Sequence, residues 1–221
     1  MSQWFTKTPD QVMSELGADQ RRGLTSRQAE ERLEKHGPNR LEGAKKESLA
    51  KRFLNQMKDP MIIVLLAAAV LSLISSGGEE WIEAVIILVI VIVNAIISIS
   101  QENSAEKALE ALQKMSAPLA KVLRDGQLVR LETDKLVPGD IIVLEAGDLV
   151  PADARILECA NLKADESAMT GESVPVSKQA VNSLPEETAL GDRKNMVISS
   201  TVITNGRAKA VVTATGMDTE M

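Results

Sequence analysis

The pattern of apolar and polar positions changes character three times along the chain. Residues 8–37 place apolar side chains at helical spacing among many charges. Thr8-Pro9 reads as a cap with proline at the first helical position, Thr25 and Gln28 form a capping box, and Gly37-Pro38 is a stop, so two short helices are predicted. Residues 44–60 read as a basic helix with Leu49, Phe53 and Met57 on one face, a spacing that suits a membrane surface or a protein groove. From 61 to 75, MIIVLLAAAVLSLIS is apolar throughout. After the polar turn Ser76-Gly77-Gly78-Glu79-Glu80, the run WIEAVIILVIVIVNAIISIS fills 81–100. Twenty helical residues rise roughly 30 Å, the thickness of a bilayer's hydrocarbon core, so the two runs predict a transmembrane hairpin. QENSAEKALEALQKM, 101–115, continues in strong helix formers with Ala105, Ala108, Leu109, Leu112 and Met115 as a stripe, and no breaker precedes Ser116-Ala117-Pro118. The second span is therefore expected to run on as a stalk. Beyond Pro118 the period becomes two. AKVLRD and QLVRLET flank Asp125-Gly126, and MVISSTVIT and RAKAVVTAT flank Asn205-Gly206. Both dipeptides are hairpin signals, and Val137-Pro138-Gly139-Asp140 is a further turn. Short strands at this spacing predict a β-sandwich or jelly roll. The fold class expected is α+β: a transmembrane helical hairpin, N-terminal helices and a β-rich cytoplasmic domain.

Composition refines this picture at a few points. Of 221 residues 44% are hydrophobic but only 2% aromatic, with no tyrosine, so the apolar content is concentrated in the hairpin. The single cysteine, Cys159, excludes an internal disulfide and fits a reducing compartment; with the single histidine, His36, it cannot make a zinc site. The N-terminal WFTKTPDQV is polar and lacks a cleavable signal pattern. Net charge is -6, with no basic patch interleaved with aromatics, which excludes nucleic acid as an expected partner. Lys45, Lys46, Lys51, Arg52 and Lys58 precede the first span, whereas the connecting turn carries two acids and no base. The positive-inside rule then places both termini in the cytoplasm and Glu79-Glu80 outside. Glu83 is expected near the outer interface, and Asn94, deeper, to make an interhelical hydrogen bond.

One loop concentrates polar chemistry. DESAMTGESVPVSK, residues 165–178, sits between strands and centres on Thr170-Gly171-Glu172-Ser173, which reads as an exposed turn with a carboxylate at its tip. On residue types alone it is either a catalytic carboxylate presented by a β scaffold or a solvated turn.

The order of parts resembles the front of a P-type cation-transporting ATPase, with wording close to the calcium-pump branch. NAIISISQENSAEKALEAL, LVPGDIIVLEAGDLVPADARIL, DESAMTGESVPVSK and NMVISSTVITNGRAKAVVTATGM look like that family's second span and actuator domain, in order. The resemblance divides the chain into an N-terminal helical part of the actuator (1–40), a basic linker helix (41–60), a first transmembrane helix (61–76), a second (81–100), a stalk (101–115) and the β-rich actuator (116–221). It implies a pump that transfers the γ-phosphate of ATP, with Mg2+, to an aspartate and then hydrolyses the aspartyl phosphate. It further implies Glu172 as the residue that orients or deprotonates the attacking water, with Thr170, Gly171 and Ser173 supporting the loop. The implied partners are the phosphorylation and nucleotide domains, the remaining transmembrane helices, the lipid bilayer and a transported cation, Ca2+. The implied location is a bacterial plasma membrane.

Two residues depart from the pattern: Lys58 in QMKDP stands where the animal calcium pump has an acid before the first span, and Met169 replaces a leucine. The chain holds no Asp-Lys-Thr-Gly-Thr and no Gly-x-x-x-x-Gly-Lys-Ser/Thr. It is expected to be a piece of a longer pump, inactive toward ATP by itself. The competing expectation is a non-catalytic membrane hairpin whose β domain binds or regulates a partner.

Overall fold

Both N-terminal helices begin where their capping residues stand. α1 (Pro9–Glu15) and α2 (Ser26–His36) start with complete capping boxes, Thr8 with Gln11 and Thr25 with Gln28, and Gly37 ends α2 at φ 76°. The computed structural model describes residues 3–41, 48–75, 77, 81–115, 118–172 and 174–220. Lys45, Lys46, Glu79, Glu80, the Ser116-Ala117 break and Met221 lie outside the described residues, as do the side chains of Glu83, Leu112 and Met115. The chain divides into two units, residues 44–116 and residues 1–43 with 117–221.

The unit of residues 44–116 is helical. α3 (Leu49–Gln56), capped by Ser48, breaks by 69° from α4 (Pro60–Ser75) across Met57-Lys58-Asp59. Pro60 opens α4, and Asp59 Oδ1 accepts from Met61 N at 2.8 Å. α5 (Trp81–Met115) is unbroken for 35 residues, roughly 52 Å. Arg52 on α3 donates to Asn103 Oδ1 (2.9 Å) and Glu106 Oε2 (3.0 Å), and Ser98 donates to Gln56 Oε1 at 3.2 Å, fastening α3 along α5. Ile62, Ala69, Val91 and Ala95 are buried in this unit, while Ile63, Val64, Leu71, Ile86, Val89 and Ile96 are exposed. The most apolar stretch of α5 has mean hydropathy 2.6 and is 11% buried. An apolar helix this long and this bare suits a bilayer and not water. Among the described residues α5 alone is long and apolar enough to span; α3 and α4 qualify only as a bent pair. Asn94 is exposed, with no hydrogen bond found for it among the described residues.

The other unit is built on seven strands: β1 (Leu119–Arg124), β2 (Gln127–Glu132), β3 (Ile141–Glu145), β4 (Asp153–Asp165), β5 (Val176–Ser177), β6 (Met196–Val197) and β7 (Val202–Ala214). All pairings are antiparallel, in the order β2-β1-β3-β7-β4-β5, with β6 on β4. Asp125 (φ 50°) and Gly126 (φ 77°) form the expected two-residue hairpin. Asn205-Gly206 does not form the second. β7 runs straight through it, and the register against β4 shifts between Ala160↔Arg207 and Lys163↔Asn205. The glycine is there because a Cβ would sit 2.3 Å from Ala160 O, so the dipeptide marks a bulge under a close backbone approach. Such shifts let one continuous sheet bend around a core that includes Val122, Ile142, Ile156, Leu162, Ile203 and Val212.

The N-terminal helices belong to this unit's core: Val12 and Met13 pack with Ile141, Leu157 and Val211. Leu24 bridges Arg124 as a short parallel partner, and Leu24 O accepts from Asp125 N at 3.0 Å. At Gly23 (φ 69°) a Cβ would lie 1.8 Å from Leu123 O. Gly23→Ala is therefore expected to cost at least about 2 kcal/mol, from left-handed strain plus displacement of the segment from β1, measurable as a lower midpoint in urea unfolding.

Candidate functional site

The 165–178 loop leaves the sheet at the end of β4 and returns immediately beside it. Lys163↔Ser177 and Ala164↔Val176 pair across its base, while Ala164 and Asp165 pair on their other side with Ile203 and Val202 of β7. Asp165 Oδ1 accepts from Ser167 N at 3.0 Å, and the Ser167 hydroxyl and amide together hold the Asp165 carboxyl below its ordinary range. A single helical turn follows, α6 (Ser167–Thr170), which Gly171 ends in the left-handed region at φ 75°, ψ 0°. Space around Gly171 is open, so what the position demands is its backbone conformation.

Thr170 ties the turn to its tip. Its hydroxyl donates to Glu166 O (3.1 Å) and accepts from Glu172 N (3.3 Å). The 3-10 turn Leu190–Asp192 backs it: a Cβ at Gly191 would come within 3.0 Å of the Thr170 methyl. Glu172 itself is exposed, and among the described residues its carboxylate has no hydrogen bond or ion pair. Ser173 lies outside the described residues. The structure thus brings Thr170, Gly171 and Glu172 together as a firm turn with an unengaged carboxylate. A carboxylate so placed can accept a proton or orient water for a group brought to it from elsewhere.

The acids of this loop do separate jobs. Asp165 holds the Ser167 amide, Glu172 is presented, and Glu166 is buried at 1% exposure with a Lys178 buried at 3% as its ion-pair partner. Residue type and spacing do not set Glu166 apart from the other acids of the loop. Burial pushes Glu166 up and Lys178 down, and each is held back by the other's charge. Lys178 Nζ also donates to Arg193 O at 3.3 Å, and Lys178 N to Leu162 O at 2.9 Å. Among the described residues no group of three or more His, Cys, Asp or Glu side chains is placed to hold a metal ion. His36 lies at the exposed end of α2, and half-buried Cys159 donates to Lys178 O at 3.7 Å.

Two further charged residues escaped the sequence reading. Asp140, fully buried, takes a bidentate pair from Arg124 (2.8 and 2.6 Å) and the Val137 amide at 3.0 Å, closing the turn before β3. Arg155, also fully buried, donates to five backbone carbonyls: Ile156, Asn195, Lys7, Val181 and Asn182. Burial lowers its pKa to about 10, leaving it charged at neutral pH. Its only sequence signal is an arginine among the apolar residues of ARILECA, a run that also holds Glu158.

Residues 114–221 match the P-type ATPase actuator domain, and residues 4–72 match the cation transporter/ATPase N-terminus. The calcium-transporting ATPase 1 of Bacillus cereus is 45% identical over 225 aligned residues, covering 100% of this chain and 25% of the relative. A calcium-transporting ATPase of Listeria monocytogenes is 45% identical over 98% of the chain and 24% of its own length. A probable cation-transporting ATPase F of Mycobacterium bovis is 42% identical over 96% of the chain and 23% of its own length. The chain spans about a quarter of the length of these relatives.

Proposed function

The chain belongs to the P-type ATPase family, carrying its actuator domain and its cation-ATPase N-terminus, and from that premise we propose that it is the front of an ATP-driven pump for calcium. In this reading Glu172 promotes hydrolysis of an aspartyl phosphate carried by another part of the same pump. The observation that carries it is the unengaged Glu172 carboxylate on a turn fixed by Thr170 and Gly171. A carboxylate at hydrogen-bond distance from an in-line water can orient it and accept its proton, and a tip without Cβ bulk at Gly171 lets backbone approach a phosphoryl group. Thr170 and Gly171 set the tip's geometry, with Ser173 assigned the same supporting role.

ATP and Mg2+ are assigned to parts of the pump other than this chain, whose described residues do not offer a metal cluster. The partners are accordingly the phosphorylation and nucleotide domains, the remaining transmembrane helices, the bilayer and the cation. Residues 1–40 and 116–221 act as the actuator, and residues 61–76 and 81–100 as the first two spans, joined to it by the linker at 41–60 and the stalk at 101–115. The basic residues before α4 support placing both termini in the cytoplasm of a bacterial plasma membrane. Calcium is supported by the Bacillus and Listeria relatives, both calcium-transporting ATPases by name.

In the complete purified protein, micromolar Ca2+ is expected to stimulate ATP hydrolysis and phosphoenzyme formation, with Mn2+ and Na+ giving smaller responses. A response to another cation with none to Ca2+ would reassign the cargo, and no phosphoenzyme under any cation would remove the pump reading.

A further inference from the structure

Glu172 stands at the end of a short and thinly supported excursion. β5 contributes two residues, α6 a single turn, and the residues nearest the tip, Glu172 and Val174, are exposed. Thr170 and Gly171 fix the shape of the tip, and the tip as a whole is joined to the sheet through the feet of the loop. The feet are Glu166 and Lys178. Among the described residues of the loop they are the two fully buried side chains, and they meet as an ion pair.

We propose that the Glu166–Lys178 pair is a positioning device for Glu172, setting the separation of the loop's feet and transmitting it to the tip through the Glu166 carbonyl and the Thr170 hydroxyl. This deepens the reading of Glu172 given above and rests on it. The connections are continuous. Glu166 O receives the Met169 amide (2.9 Å), the Thr170 amide (3.0 Å) and the Thr170 hydroxyl (3.1 Å), and that hydroxyl accepts from Glu172 N (3.3 Å). On the other foot, Lys178 Nζ reaches Arg193 O, directly after the Leu190–Asp192 turn that packs against the Thr170 methyl. One ammonium thus joins the start of the loop, its end and its backing turn.

Stability alone is a weak account of this pair. Desolvating two charges offsets much of their attraction, and apolar replacements of similar volume are often neutral or stabilising. Glu166 Oε2 moreover has no hydrogen-bond donor among the described residues, so the acid is not fully compensated. A buried pair of this kind adds directional constraint that an apolar contact lacks, and direction is what an exposed catalytic carboxylate requires.

The test uses the complete pump and a variant that strands neither charge, Glu166→Gln with Lys178→Met. Phosphoenzyme formation from ATP is expected to stay within about twofold of the parent, because that step does not involve Glu172. Phosphoenzyme decay is expected to slow ten- to hundredfold, since misplacement of about 1 Å costs on the order of a hundredfold. Adding the same pair of changes to Glu172→Gln should slow decay no further, because the pair acts through Glu172. Lys178→Arg, which keeps the cation, should recover decay to within about threefold. Parent-like decay in the paired variant overturns the proposal. So does slowing that multiplies with Glu172→Gln, or loss of formation and decay together, which marks a structural role only. If Glu172→Gln itself decays normally, the Glu172 reading fails and this inference falls with it. If Glu172→Gln is slow and the paired variant is not, only this inference fails.

Discussion

Glu172→Gln in the complete pump is expected to leave phosphorylation by ATP intact and to slow hydrolysis of the phosphoenzyme by a factor of about 10² or more. The substitution preserves the size of the side chain and the turn beneath it, since Thr170 Oγ1 bonds the backbone amide of residue 172 and not its carboxylate. What is lost is the ability to accept a proton, and positioned acid–base groups contribute about 10²- to 10⁴-fold. Because the carboxylate is exposed and unengaged among the described residues, its removal strands no buried partner and should not lower the stability of the domain. The measurement is a chase of radiolabelled phosphoenzyme after removal of ATP, with formation timed separately. Decay at the parent rate would take Glu172 out of the chemistry. Impaired formation would point instead to a defect in docking between domains.

The second large effect is on folding. Arg155→Ala is expected to destabilise the β domain by about 4 kcal/mol or more, enough to prevent accumulation of the folded chain. Its guanidinium serves carbonyls from three places: β4 itself with Asn195, the Val181-Asn182 loop, and Lys7 ahead of α1. Hydrogen bonds to a charged donor are worth about 1.5–3 kcal/mol each, and buried acceptors left without a donor cost about 1–3 kcal/mol. These contributions do not add fully, but two or three of them suffice for the expected loss. Arg155→Lys should recover little, because one ammonium cannot span carbonyls that a planar fork reaches on several sides. Circular dichroism and urea unfolding of the detergent-solubilised chain would read the effect. A wild-type midpoint for Arg155→Ala would show that those carbonyls find other donors.

What the sequence disclosed and what it concealed divide by the range of the interactions. Caps at Thr8 and Thr25 and the hairpin at Asp125-Gly126 are settled within four residues, and each forms as read. The rod over 81–115 was legible because nothing in its composition interrupts a helix. Asn205-Gly206 carries the same local signal as a hairpin, and its real role depends on Ala160 and Asn161, more than forty residues away, which crowd the glycine from the neighbouring strand. The turn at Thr170-Gly171-Glu172 was visible as a turn with an exposed acid, whereas the burial of Glu166, Lys178 and Arg155 was not. A charged side chain enters a core only when distant backbone and an opposite charge meet it there, and no spacing rule encodes that meeting.

The β unit is discontinuous: residues 1–43 join it, and residues 44–116 intervene before its first strand. The consequence is a schedule. Val12, Met13 and Leu24 emerge from the ribosome roughly 100 to 200 residues before Arg124, Ile141 and Val211, the partners they pack against. At about 5–20 residues per second, the amphipathic N-terminal helices wait on the order of 5–20 s for the nearest of those partners. During that interval the apolar runs of α4 and α5 are synthesised. Both helices are therefore complete on every nascent chain before the β unit can close. A strand order in which the two N-terminal helices followed β7 would lose that sequence of events without changing a single contact.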